Sequence, residues 1–192
     1  MGMPSVQHGQ PLTASKYVYI VSQHSIKRHV RGSLVDRGAN GGILGMDARI
    51  IFKHHREVDV TGIDNHEMSG LSIVDASAKC QSDKGPVIII MKQYAYHGAQ
   101  ATTIHSSGQI EAYKNFVDDR SLKVGGRQCI RTLDGYILPL DIIHGLPYLK
   151  MEPNSDTEWN ELPHVILTIV VTLGAHLFLT ALSLTRMTGP TP

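Results

Sequence analysis

The residues best placed to do chemistry lie in positions 32–42, GSLVDRGANGG. Ser33-Leu34-Val35 suits a short buried strand, and Gly38, Gly41 and Gly42 suit a tight turn behind it. An ionisable Asp36 at the end of such a strand is costly unless something there pairs with it or uses it. Two roles fit. In the first, Asp36 is a turn aspartate whose carboxylate binds nearby backbone amides. In the second, it is one of two carboxylates close enough to share a proton, the charged one activating a water and the protonated one polarising an amide carbonyl. A chain this short supplies one such loop. The second role therefore requires a two-fold dimer, with Asp36 of each subunit meeting on the axis.

The elements that must position this loop are β-strands. Between about 33 and 113, short apolar runs alternate with turn signals: Ile50-Ile51-Phe52, Val58-Asp59-Val60, Leu71–Val74, Val87–Met91 after Lys84-Gly85-Pro86, Gln93–Tyr96, and Thr102–Ile104. Runs of this length and spacing favour an all-β barrel or sandwich over βαβ units. Tyr17–Val21 is strongly β-prone and is followed by the basic segment Lys27–Arg31, whereas 1–15 is a polar, turn-rich lead-in. Ile110–Val117 is the one stretch here that suits a helix. A second small β unit follows, in which Cys129-Ile130-Arg131 and Tyr136–Leu140 flank Asp134-Gly135, a hairpin turn signal. MEPNSDTEWNELP then reads as a polar connector, open to helix.

Bulk properties exclude little but are informative. Acidic and basic residues nearly cancel, 17 against 18, so composition gives no footprint for nucleic acid and none for a polybasic membrane patch. Two cysteines, Cys80 and Cys129, have no metal-ligand spacing and fit a reducing compartment. The first residues carry no secretory signal pattern, and Val6 breaks the myristoylation pattern after Gly2. The eleven histidines include His54, His55, His66, His97 and His105, none at finger or helical-ligand spacing, so surface positions are expected and no metal is assigned. The glycines at 38, 41, 42 and 45 lack the Lys-Ser/Thr of a phosphate loop, and Ser106-Ser107-Gly108 reads as a turn because a nucleophile elbow needs G-x-S-x-G.

Longer motifs carry more information than the catalytic signature does. GSLVDRGANGGILG, VDVTGIDNH, KGPVIIIMKQYAYHG, TIHSSGQIE, LKVGGRQ and TLDGYILPLDIIHGLPYL together resemble the protease-bearing segment of copia-type retrotransposon polyproteins, in particular the divergent group of diatoms and other algae. The resemblance runs from about Tyr17 to Pro163. It implies a retropepsin-like β half-site over 16–116, with Asp36 as the catalytic aspartate and Arg37, Gly38 and Ala39 as the active-site loop. It also implies a pre-integrase-like hairpin segment over 117–152 and a linker over 153–164. The expected protein is thus a polyprotein fragment: an aspartic endopeptidase acting as a homodimer on a polypeptide. No metal, cofactor or direct nucleic-acid contact is implied, and the setting is cytoplasmic. Arg37 departs from the pattern, where Ser or Thr is usual and its hydroxyl helps tie the two loops together. A cation beside the pair resists the shared-proton state, so Arg37 either disables the site, leaving a remnant with the β fold, or points outward to a carboxylate of the partner chain.

The last segment, 165–192, opens with twenty residues without a charge, VILTIVVTLGAHLFLTALSL, a length that matches a transmembrane helix. Read so, the chain is instead a tail-anchored interaction protein with a β-rich cytosolic domain and no catalysis. A frameshift is the other reading. Codons exist for Val171–Thr180 whose shifted frame encodes DSWGPSVLD, closer to the polar continuation of the related polyproteins.

Overall fold

The computed structural model describes residues 32–62, 67–98 and 101–169. The β-prone segment 17–21, the basic segment 27–31 and most of the apolar tail lie outside them. The described chain is mostly β, a single curled half-barrel sheet with two short helices.

At its centre is β1 (Ser33–Asp36), four residues whose first three are buried. It runs parallel to β6 (Ile104–Ser106), with Val35 opposite His105 and Asp36 opposite Ser106. On its other side it runs antiparallel to β10 (Leu146–Leu149). From β6 the sheet continues through β2 (Ile43–Leu44), β5 (Gly85–Tyr96), β4 (Glu67–Ser82) and β11 (Met151–Glu152). From β10 it continues through β9 (Ile137–Ile143) and β8 (Cys129–Arg131) to β7 (Phe116–Asp118). The hairpin segment read from the sequence is therefore woven into the same sheet as Asp36, through the β1–β10 pairing.

Burial explains the two longest strands. Val87–Met91 of β5 is buried at every position, as expected for a continuous apolar run covered on both faces. It is flanked by β4 and, at its ends, by β2 and by β12 (His164–Ile166), which runs parallel to it. Among the described residues β3 (Arg49–Thr61) pairs only with β4, and its side chains are mostly exposed. Among the described residues, 57–61 and 67–72 have only each other as strand partners, so this hairpin extends past the rest of the described sheet. Register shifts interrupt its ladder, the widest between Lys53 and Glu57. Such bulges twist an edge strand and hinder edge-to-edge pairing.

The core gathers Val35, Leu44, Val74, Ile89, Met91, Tyr94, Ile110, Ile130, Leu138, Leu149, Val165 and Leu167. Two expectations are corrected here and one, the helix-compatible connector, is met. The expected helix over 110–117 is instead α1 (Ser107–Ala112), started by Ser106, whose side chain accepts the Gln109 N–H. Its remaining residues pass through a left-handed Lys114 into β7. The 153–164 connector holds α2 (Asp156–Glu161), with a capping box between Ser155 and Glu158. The apolar run does not begin as a helix. Val165 and Ile166 belong to β12, and Leu167 and Thr168 are buried behind it. Among the described residues no helix is long and apolar enough to cross a membrane.

Candidate functional site

β1 ends at the surface, where its last residue meets the loop 37–42. Asp36 is half-buried, and its Oδ1 accepts the Gly38 N–H at 2.7 Å. Among the described residues that amide is its one hydrogen-bond partner. The turn role read from the sequence is thus realised, and the rest of the carboxylate stays available. Ser106, opposite Asp36 across the parallel pair, donates its hydroxyl to Ala39 O at 2.6 Å. Gln109 accepts the Gly42 N–H at 3.0 Å and donates to Lys92 O at 3.2 Å. Two side chains of the β6–α1 junction therefore hold the loop 37–42, one at Ala39 and one at Gly42. Gly42 is required sterically, since a Cβ there would overlap the Tyr94 ring.

Arg37 turns away from Asp36. Its Nε donates to both oxygens of Asp119, at 3.1 and 2.9 Å, one amino group donates to Val117 O at 2.8 Å, and the other reaches Glu111 at 3.3 Å. The hydrogen bond to Asp119 outweighs the opposing cost of burial and, together with the charges of Asp119 and Glu111, holds the guanidinium more firmly protonated than usual. Among the described residues, the carboxylates that Arg37 pairs with belong to its own chain. Arg37 buckles the loop onto the α1–β7 corner, and among the described residues no cation is paired with Asp36.

The opposite end of the β1–β6 pair is polar as well, with Ser33 and Thr103 buried and Asp47 half-buried. Asp47 accepts the Ser33 hydroxyl at 2.6 Å and the Thr103 hydroxyl, and Thr103 in turn accepts the Gly45 N–H at 3.0 Å. Between the two ends, the fully buried His105 shares a 3.0 Å hydrogen bond from its Nδ1 with the Tyr94 hydroxyl. Burial lowers the His105 pKa to about 4, opposed only in part by Asp47. Burial likewise raises Tyr94, so both groups are neutral near pH 7.

The histidines depart from expectation in two places. His105 is a core residue, and His54 is half-buried, bonded to Asp75 at 2.8 Å beneath Phe52. Asp75 also accepts the N–H of Gln93, which adopts φ 60° where β5 carries an extra residue opposite Asp75. Among the described residues no three potential ligands converge as a metal site would require. Cys80 is buried and its thiol is pushed up to about 12 by desolvation, a packing residue with no nucleophilic character.

Sequence reasoning singled out Asp36, Arg37, Gly38 and Ala39 but missed the residues bonded to this loop: Ser106, Gln109, Glu111 and Asp119. A signal existed for the first two. Ser106-x-x-Gln109 has the spacing of a capping box, although Gln109 spends its side chain on Gly42 instead of closing back on Ser106. The partners of Arg37 lie 74 to 82 residues away, and no local pattern announces them. No family model, no curated protein and no solved structure matches the chain.

Proposed function

We propose that this chain is a fragment of a copia-type retrotransposon polyprotein carrying one half of a retropepsin-like aspartic endopeptidase, completed by a second copy of the chain. The observation that carries the reading is Asp36 itself. It stands at the end of a central strand, oriented by the Gly38 N–H, with Arg37 drawn off to Asp119 and Glu111.

In the completed site two Asp36 carboxylates share one proton. The ionised carboxylate takes a proton from a water as that water attacks the peptide carbonyl. The protonated one donates to the carbonyl oxygen, and the proton balance is restored when the amine leaves. No metal is needed, because the water is activated by the pair. Arg37 supports this reading by its direction. A cation aimed at the pair would favour double ionisation, whereas one held by Asp119 leaves the shared proton in place. Arg37 also supplies within one chain the loop anchorage that a Ser or Thr hydroxyl supplies between chains.

Cleavage of a peptide library between acid and neutral pH tests the proposal. Dimeric protein should cleave, and the Asp36→Asn variant should not. Cleavage that persists in Asp36→Asn, or pure dimer with no cleavage at all, ends the protease reading and leaves a β domain without catalysis.

A further inference from the structure

We propose that the cleft between β7, β8 and the start of β9 binds a nucleotide unit of single-stranded nucleic acid, through phosphate charge and base stacking together. The cleft encloses about 470 Å³ and is lined by Lys114, Phe116, Arg127, Arg131, Leu133 and Tyr136, among others.

Every charged residue in that lining is a cation. Lys114 follows α1 in a left-handed turn, Arg127 precedes β8 and Arg131 ends it, so two separate stretches of chain converge. Among the described residues none of the three has a carboxylate within ion-pair distance. The carboxylates nearby are engaged elsewhere. Asp118 pairs with Arg120 and accepts the Arg127 backbone N–H, and Asp83 accepts the Ile137 N–H. Asp134, in the same loop as Leu133 and Gly135, does not line the cleft. Gathering cations with no counter-charge is unfavourable, and an external anion relieves it.

The aromatic rings decide which anion. Phe116 is 43 % exposed, and the Arg131 guanidinium lies 4.5 Å from its ring centroid. Lys84 Nζ lies 4.8 Å from the Tyr136 centroid. Inorganic phosphate would use the cations and leave the exposed Phe116 ring wet. An acidic peptide would do the same, because it offers carboxylates but no planar ring. A phosphate joined to a flat base uses both, which is how sequence-tolerant single-strand sites work. The near-neutral composition of the chain conceals this cluster, because the cations are concentrated locally.

Fluorescence anisotropy with a labelled twelve-nucleotide uridine RNA and the full chain tests the inference. Binding should weaken with salt, and Arg127→Gln and Arg131→Gln should each flatten the salt dependence by about one unit of slope. Phe116→Ala should weaken binding about tenfold, while Phe116→Trp, which keeps a stacking face, retains it. Lys150→Gln, an exposed cation outside the cleft, should bind as the parent does. Polyglutamate should compete poorly. Absence of RNA binding in low salt, or binding that Phe116→Ala leaves unchanged, would overturn the proposal, as would equal displacement by polyglutamate.

Discussion

Two aspartates sit at the two ends of one parallel strand pair, and the chain treats them differently. At the closed end, Asp47 takes hydroxyl hydrogen bonds from Ser33 and Thr103, and it is a structural anchor. At the open end, Asp36 takes one backbone N–H, while the cation next to it in sequence is carried off by Asp119 and Glu111. A carboxylate with two hydroxyl donors has little left to offer a substrate. One oriented by a single amide retains most of its lone pairs for chemistry. The contrast distinguishes a residue that serves stability from one that is held ready.

Energetics should follow the same division, with large effects at the closed end and in the layer beside it, and small ones at the open end. Acidification should have the greatest effect. His105 is held at about 4 in the fold against an ordinary value of 6.5, so below 6.5 the unfolded chain takes up a proton that the folded chain refuses. Stability should therefore fall as pH drops from 6.5 toward 4, by on the order of 3 kcal/mol. Urea titrations across that range would measure the loss. His105→Gln, whose amide oxygen can still accept from Tyr94, should flatten the dependence, and an equally steep slope in that variant would assign it to other groups.

Thr103→Val comes next. It removes the hydroxyl that bridges Asp47 and the Gly45 N–H, leaving both short of a buried partner, at a cost of about 1–3 kcal/mol in the urea midpoint. Arg37→Ala should cost least, because its guanidinium is half exposed and screened: about 0.2–1 kcal/mol. Its expected signature is local, with faster amide hydrogen exchange at Gly38 and Gly42 and little change elsewhere. If Arg37→Ala proved more destabilising than Thr103→Val, the contrast between the two ends would be lost.

The same two ends show what the amino-acid sequence discloses. The open end was legible because strand, aspartate and glycine turn are contiguous in SLVDRGANGG, and their order alone implies the local geometry. Asp47 was not, because ILGMDARI carries no sign of two hydroxyls arriving from residues 33 and 103. The strand-rich class was read from the spacing of apolar runs. The joining of the 117–152 segment to the sheet of Asp36 depends on β10 reaching β1, a pairing across more than a hundred residues. Periodicity does not encode partners at that range. His105 was expected at the surface because histidine usually lies there, yet its neighbours Ile104 and Ser106 belong to a central strand that buries it.

The central claim is that one active site takes Asp36 from two chains, and mixed dimers test it most directly. Wild-type and Asp36→Asn chains would be co-unfolded and refolded in varying proportion, and cleavage measured against the wild-type fraction. A shared pair predicts activity that follows the square of that fraction, so an equal mixture should retain about a quarter of the activity. A linear dependence, with half the activity retained, would mean that each chain acts alone and would contradict the account.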